Sequence, residues 1–204
     1  MSRREDILKR LRSRKRVPRE LADRTRSYQD LVERFRQELE SHNGEVWLAA
    51  DAAEAWEKAI DFMQETGVQV IAAHRTELPQ FDTPPEVRYP DFDWHFAGEA
   101  EYREACAQAD IGLTGADAAL AETGTLVLTS GSDRARITSL LPPTHIVFLP
   151  KTKLISDLFA WKAQRPAEFP ANLMFISGPS KTGDIEQALV VGVHGPRRLI
   201  VIVY

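Results

Sequence analysis

Cysteine is almost absent from this chain of 204 residues, because Cys106 is the only one. One thiol cannot form an internal disulfide, and it cannot supply the set of thiolates that holds an iron–sulfur cluster or a structural zinc ion. The five histidines are far apart in the sequence and show no metal-ligand spacing. We therefore expect no metal and no cofactor in this chain, and a reducing, cytoplasmic location.

Long apolar runs are also missing, and none is long enough to span a bilayer. The first six residues, Met-Ser-Arg-Arg-Glu-Asp, lack the apolar core of a signal peptide. Apolar residues make up 43 % of the chain and charged residues 27 %, which is typical of an ordinary soluble protein. The sequence thus predicts no membrane span.

The common nucleotide-binding and hydrolase signatures are absent as well. No Gly-x-Gly-x-x-Gly opens a predicted helix, so a nicotinamide site is not supported. A P-loop needs a glycine directly before its lysine, and Ser180 holds that place before Lys181. The Gly-x-Ser-x-Gly elbow of the α/β-hydrolases does not occur.

Charge is distributed unevenly, with a net charge of +5 in residues 1–40 and −9 in the remainder. The densest basic run, Lys9 to Arg16, could contact nucleic acid or an acidic membrane surface. No nucleic-acid-binding module accompanies it, and the acidic remainder would repel phosphates. We therefore favour a solvated helix face or an arm that docks on an acidic partner, and we expect no nucleic-acid ligand.

Apolar periodicity predicts a small N-terminal helical arm, residues 1–43, followed by an α/β domain, residues 44–204. Strands that alternate with helices imply a mostly parallel sheet covered on both faces. Residues 78–95 hold four prolines and are interpreted as a long surface loop. The predicted helices are 3–13, 24–39, 52–66, 99–107, 135–140, 154–164 and 184–191, and the predicted strands are 45–49, 68–72, 110–114, 124–129, 145–149, 173–176 and 199–203.

Ligands in such sheets bind beyond the carboxyl ends of the strands. Four segments follow predicted strands and are candidates: His74, Gly131 to Arg136, Lys151 to Lys153, and the turn at Gly178. Arg134 and Arg136 could clamp a carboxylate or a phosphate, or they could be surface residues at the start of a helix.

The turn Gly178-Pro-Ser-Lys-Thr-Gly lies between a predicted strand and a predicted helix. Such a turn directs backbone N–H groups at one point, where a small anion can bind at the positive end of the helix. We expect Gly178, Ser180, Lys181 and Thr182 to bind that anion, with His194 as a donor at the pocket edge. The alternative is a turn with an ordinary helix cap.

Small residues surround a carboxylate in the central segment 114–128. Burial there would raise the pKa of Glu122 and suit it to nucleophilic or acid–base catalysis, with Thr123 and Gly124 lining the cleft. The alternative is a structural carboxylate that binds neighbouring N–H groups, since small residues let backbone approach backbone as readily as a ligand.

Four motifs together resemble the lactate utilization protein C family, which carries the LUD domain. They occur in order at Leu113 to Leu128, Ser139 to Ile146, Ile176 to Glu186 and Val191 to Arg197. The resemblance implies a Rossmann-like α/β sheet of the sugar-phosphate isomerase and CoA-transferase type. It also implies a role in oxidising L-lactate to pyruvate with iron–sulfur partner proteins, in which this chain is the cluster-free component.

Two hypotheses from different classes remain open. In the first, the chain is a non-redox subunit, because removing electrons from lactate needs a redox centre that side chains do not provide. In the second, it is a stand-alone enzyme on a CoA-linked or phosphorylated small molecule and uses Glu122 with the anion-binding turn. The sequence does not decide whether the chain is itself an enzyme.

Overall fold

The structure, a computed structural model, describes residues 30–79, 82–164, 170, 172–183, 189–191 and 195–204. In this part of the chain the helices are α1 (Leu31–Ser41), α2 (Ala52–Glu65), α3 (Pro85–Arg88), α4 (Tyr102–Gln108) and α5 (Leu158–Gln164), with 3-10 segments at Arg75–Glu77, Arg136–Ser139 and Lys151–Lys153. The strands are β1 (Glu45–Leu48), β2 (Val70–Ala73), β3 (Asp93–Phe96), β4 (Ile111–Gly115), β5 (Ala118–Leu120), β6 (Thr125–Ser130), β7 (Thr144–Leu149), β8 (Leu154–Ile155), β9 (Asn172–Ile176), β10 (Lys181–Gly183), β11 (Leu189–Val191) and β12 (Arg198–Val203).

Six parallel strands form the central sheet, in the order β1-β12-β7-β4-β2-β3. Strand β12 lies inside the sheet, where Val201 pairs with Val46 on one side and Val147 on the other. Its apolar run is buried on both faces, as is usual for a parallel sheet between two layers. The predicted α/β fold with a mostly parallel sheet is therefore confirmed.

A second, smaller sheet has the order β8-β5-β6-β9. Strands β5 and β6 form an antiparallel hairpin through the turn at residues 121–124, and β9 pairs antiparallel with β6. The sequence predicted β6 and β9 but not β5, because its run of alanines lacks the β-branched residues that mark a strand.

Two apolar clusters cover the faces of the central sheet. On one face, Trp56 and Met63 of α2 pack against Phe148. On the other, Phe35 and Leu39 of α1 pack with the second sheet, and both side chains are fully buried. Helix α1 therefore contributes directly to the core, although the predicted division at residues 43 and 44 would assign it to a separate arm.

The ends of α1 follow its sequence. Asp30 caps the first turn by accepting hydrogen bonds from the N–H groups of Val32 and Glu33. Asn43 adopts a left-handed conformation, φ 69°, and the Gly44 N–H returns to the Leu39 carbonyl. This is the helix end that Asn-Gly predicted.

Several predicted elements differ from the observed ones. The predicted loop 78–95 contains α3 and most of the edge strand β3, where Trp94 stacks on Trp56. The helix predicted from residue 154 begins only at Leu158, because Asp157 caps it and the preceding residues pair with β5. The predicted helix 135–140 is a 3-10 segment at Arg136–Ser139.

The helix predicted at residues 184–191 is wrong at its end. Leu189–Val191 form β11, which pairs antiparallel with β10. Leucine followed by two valines favours a strand, and the neighbouring strand satisfies its backbone groups. Residues 184–188 and the predicted helix 3–13 lie outside the described residues.

Candidate functional site

An open cleft of about 480 Å³ lies at the carboxyl edge of the central sheet. Phe148 at the end of β7 and Tyr204 after β12 form part of its floor. Two of the four segments that the strand-end rule selected contribute to the lining of the cleft, namely Gly131 to Arg136 and Lys151 to Lys153. Its remaining polar residues are Thr76, Glu77, Asp133, Arg134 and Lys153.

Glu77 is the most enclosed carboxylate of the cleft, with 12 % of its side chain exposed. Its Oε2 accepts from the Gly115 N–H at 3.0 Å and lies 2.7 Å from His74 Nδ1. Its Oε1 accepts from Arg134 Nη1 at 3.2 Å. Burial raises the pKa of Glu77, but the hydrogen bond and charge of His74, with Gly115 and Arg134, outweigh it and lower the pKa to about 2.

Arg134 is anchored through one nitrogen. Nη1 donates to Glu77 Oε1 and, at 3.0 Å, to Asp117 Oδ1. Nε and Nη2 donate to no acceptor within the residues that the structure describes, and 30 % of the side chain is exposed. The Nε–Nη2 edge of a guanidinium matches the two oxygens of a carboxylate, so Arg134 can bind one without releasing its anchors.

Lys153 adds a second cation to the lining of the cleft. Its Nζ donates to the Ala116 carbonyl at 2.6 Å, and no carboxylate of the described residues lies within ion-pair distance. Asp133, in the same cleft, accepts a hydrogen bond from Thr76 Oγ1 at 3.2 Å. The cleft therefore offers both N–H donors for an anion and an acceptor for a hydroxyl group.

A buried hydrogen-bonded chain supports the cleft from behind. His74 Nε2 lies 2.9 Å from Thr138 Oγ1, which in turn lies 2.7 Å from the Tyr102 hydroxyl. Tyr102 also donates to the Ala73 carbonyl at the end of β2. Burial raises the pKa of Tyr102, so the phenol is neutral at pH 7. These bonds fix the ring of His74 and, through it, Glu77.

A second buried histidine lies near this chain. His145 Nε2 lies 2.8 Å from Thr114 Oγ1, and the side chain is 1 % exposed. Burial and then the charge of His74 lower the pKa of His145 to about 3, against an opposing contribution from Glu77. His145 is therefore neutral at pH 7 and adds no charge below the cleft.

Comparison with known proteins identifies the family. The family model of the LUD domain matches residues 32–204. The chain belongs to the LUD-domain family. The match begins within α1 and so includes the helix that packs into the core.

Named relatives agree with this assignment. The chain is 46 % identical over 156 residues to "Lactate utilization protein C" of Halalkalibacterium halodurans, which covers 72 % of this chain and 68 % of the relative. It is 36 % identical over 152 residues to the protein of the same name from Anoxybacillus flavithermus, covering 69 % of each. The resemblance read from the four motifs is thereby confirmed.

A solved structure shares the fold. It is a DUF162 family protein from Deinococcus radiodurans, with a TM-score of 0.54 and 21 % identity, and the match covers 85 % of this chain and 95 % of that one. Among the described residues of this LUD domain, no helix is both long and apolar enough to cross a membrane. The same residues contain no group of three or more His, Cys, Asp or Glu side chains that could hold a metal ion.

The two predicted arginine clamps of the LUD domain separate. Arg134 reaches the cleft, whereas Arg136 is exposed and lines a different depression with Ser130 and Asn172. The Arg136 carbonyl accepts from Ser139 Oγ within the 3-10 segment. Only one of the two guanidinium groups is therefore placed to bind a ligand there.

The Glu122 turn contacts helix α1 and does not line the cleft. The Glu122 N–H donates to the Ser156 carbonyl, and its own carbonyl accepts from Arg34 Nη2. A Cβ on Gly124, where φ is +58°, would lie 2.8 Å from the Glu38 carbonyl carbon and the Leu39 Cα. Thr123 is exposed and hydrogen-bonds Thr125. The small residue Gly124 here permits a close approach of backbone to backbone.

The Gly178 turn also contacts α1, at its C-terminal end. A Cβ on Gly178 would lie 2.8 Å from the His42 carbonyl oxygen. Lys181 Nζ donates to that oxygen at 2.8 Å and to Asn43 Oδ1 at 2.6 Å.

The anion site predicted at the Gly178 turn required a helix after the turn. Lys181 and Thr182 instead continue into strand β10, and the Ser180 N–H donates to the Pro196 carbonyl. Lys181 therefore neutralises the negative end of α1, and the predicted donor His194 lies outside the described residues.

Glu77 and Asp117 were missed as site residues by the sequence analysis, and Asp133 was included only as part of the candidate segment Gly131 to Arg136. Glu77 occupies the third position after His74, which the strand-end rule did select. Its hydrogen-bond partners Gly115 and Arg134 are 38 and 57 residues away in sequence. The sequence did show a carboxylate shortly after a predicted strand, which is the position of a candidate site residue. Only the fold shows which residues that carboxylate contacts.

Proposed function

We propose that this chain is a component of an L-lactate utilization system that carries no iron–sulfur cluster itself. In this proposal it supports the oxidation of L-lactate to pyruvate by iron–sulfur partner proteins. The names of its relatives support the lactate context. One cysteine in 204 residues supports a role without a cluster, because cluster ligation needs several thiolates.

Within that system we assign to this chain the binding of a small carboxylate in the cleft. The observation that carries this assignment is that the N–H edge of Arg134 lines the same cleft as the ammonium group of Lys153, which has no carboxylate partner among the described residues. Glu77 and Asp117 already hold the guanidinium in place, so little side-chain entropy is lost when a ligand binds. A carboxylate bound there would exchange water for charge-assisted hydrogen bonds.

In this proposal the electrons removed from L-lactate do not pass to this chain. Oxidation of a 2-hydroxy acid to a 2-oxo acid removes two electrons and two protons. Side chains such as those of the cleft do not accept an electron pair, so the partners' clusters would receive the electrons. The chain would hold the acid, and its function would be visible only in the assembly.

A pull-down from the native host grown on L-lactate tests the assembly. We expect a tagged chain to co-purify with iron-containing proteins and with turnover of L-lactate to pyruvate that is lost when the chain is removed. Arg134→Gln and Lys153→Met should each lower turnover at subsaturating lactate about tenfold or more, because each removes a charge-assisted hydrogen bond. Arg136→Gln, on the neighbouring depression, is the matched control and should restore turnover fully.

One outcome of the pull-down, together with a growth test, would contradict the proposal. If the tagged protein purified alone and free of iron, and deletion of its gene did not slow growth on L-lactate, the proposed function would be wrong.

A further inference from the structure

We infer that the cleft selects 2-hydroxycarboxylates over the corresponding 2-oxocarboxylates, and that Asp133 is the residue that distinguishes them. The inference rests on the proposed function, because it takes the cleft to be the ligand site. It adds the chemical class of the ligand and a specificity-determining residue.

The carboxylate end of a ligand is the same in both classes. The Nε–Nη2 edge of Arg134 and the ammonium group of Lys153 can only donate hydrogen bonds. They attract the carboxylate of a hydroxy acid and of an oxo acid equally. Discrimination must therefore come from a group that contacts the substituent on the second carbon.

Asp133 meets that requirement. It lines the same cleft as Arg134 and Lys153, and its Oδ2 accepts from Thr76 Oγ1. Its Oδ1 receives no hydrogen bond from any residue that the structure describes. An ionised carboxylate only accepts, so Oδ1 can bind the hydroxyl group of a hydroxy acid. The oxo oxygen of the product has only lone pairs and would be repelled.

The other two carboxylates around Arg134 are already occupied. Each oxygen of Glu77 accepts from or contacts a donor, namely Arg134 on Oε1 and Gly115 and His74 on Oε2. Asp117 binds Arg134 through Oδ1 and the Thr129 N–H through Oδ2. Both carboxylates hold the guanidinium, which leaves Asp133 as the carboxylate near Arg134 that has an oxygen available to the hydroxyl group of a ligand.

Calorimetric titration of the full chain with L-lactate, pyruvate and propionate tests the inference. For the wild type we expect L-lactate to bind about tenfold more tightly than pyruvate, the value of one hydrogen bond to a charged group in a partly exposed site. Propionate should lie between the two, because it loses the hydrogen bond but brings no repelled oxygen.

Two variants of Asp133 separate its acceptor role from its charge. In Asp133→Asn the amide can donate to an oxo oxygen. L-lactate and pyruvate should therefore bind with about equal affinity, or pyruvate should bind more tightly. In Asp133→Ala both the charge and the acceptor are lost, so pyruvate should bind about as tightly as propionate. Asp61→Asn, an exposed aspartate on α2, is the matched control and should keep the wild-type ratio.

Equal affinity of the wild type for L-lactate and pyruvate would overturn the inference and leave the proposed function intact. A preference that persists in Asp133→Asn would do the same. If none of the three acids bound at millimolar concentration, the cleft would not be the ligand site, and both the inference and the binding role assigned to this chain would fail.

Discussion

His74 Nδ1 lies 2.7 Å from Glu77 Oε2, and the two side chains are 4 % and 12 % exposed. Because Nδ1 faces a carboxylate, that nitrogen carries a hydrogen, which fixes the orientation of the ring. Glu77 in turn holds Arg134. The buried histidine thus sets the position of the cation that we propose binds a carboxylate, although it does not line the cleft itself.

Glu77 should stabilise the fold in a pH-dependent way. Its pKa of about 2 in the folded protein lies below the value of about 4.3 of an unfolded glutamate. A group with a depressed folded pKa contributes stability that is complete above the unfolded pKa and is lost as pH falls through the folded pKa. Glu77→Gln should therefore lower the free energy of unfolding on the order of 2–3 kcal/mol at pH 7, and by progressively less between about pH 4.5 and pH 2.

Urea denaturation at stepped pH measures this difference. Glu57→Gln, at an exposed position of α2, is the control and should differ little from the wild type at every pH. A difference for Glu77→Gln that stays constant from pH 7 to pH 2 would show that the carboxylate is not coupled to His74 and Arg134 as the distances indicate.

The sequence was sufficient to predict helices and strands that are determined by residues close to them in the chain. Leu199 to Val203 is a continuous apolar run and forms the buried strand β12. Asp51 caps α2, and Asn43 ends α1 where the sequence placed those boundaries. In each case the residues that determine the structure lie within a few positions of it.

The site depended on contacts between distant segments, and there the sequence was ambiguous. A glycine at position 178 lets another group come close to its backbone. The sequence does not distinguish a ligand from the His42 carbonyl, which makes that approach in the structure. Arg134, which the sequence selected as a strand-end cation, lines the cleft. What distinguishes it from Arg136 is the pair Glu77 and Asp117, and no local pattern shows that pair.

Gly124→Ala should destabilise the protein strongly. The residue has φ +58°, and an added Cβ would press on the backbone of α1 at Glu38 and Leu39, which cannot yield without moving the helix. We expect a loss of roughly 3 kcal/mol or more in the free energy of unfolding, from backbone strain and overpacking together. Gly67→Ala is a matched control, because Gly67 has φ +70° but no atom within 4 Å of the added Cβ. It should cost only about 1–2 kcal/mol, and urea denaturation giving equal losses for the two variants would contradict the close contact with α1.

Lys181→Ala tests whether Lys181 binds an anion, as the sequence predicted, or stabilises the C-terminal end of α1, which it contacts in the structure. The ammonium group donates to the His42 carbonyl and to Asn43 Oδ1, so its removal should lower the free energy of unfolding by about 0.5–1.5 kcal/mol. The affinity for L-lactate, measured by calorimetry, should not change. Lys153→Met should show the reverse pattern, a clear loss of affinity with a small change in stability. Weakened L-lactate binding in Lys181→Ala would instead favour the Gly178 turn as the ligand site.

Glu122→Gln should leave the function of the chain unchanged. The substitution keeps the backbone N–H and carbonyl of Glu122, which bind Ser156 and Arg34, and Glu122 is not among the residues that line the cleft. A deletion strain complemented with this variant should grow on L-lactate at the wild-type rate, whereas complementation with Arg134→Gln should give slower growth when L-lactate is limiting. A folded Glu122→Gln protein that fails to support growth would revive the stand-alone enzyme hypothesis, because a nucleophilic carboxylate cannot be replaced by an amide. Thermal denaturation of the purified variant distinguishes that outcome from a simple failure to fold.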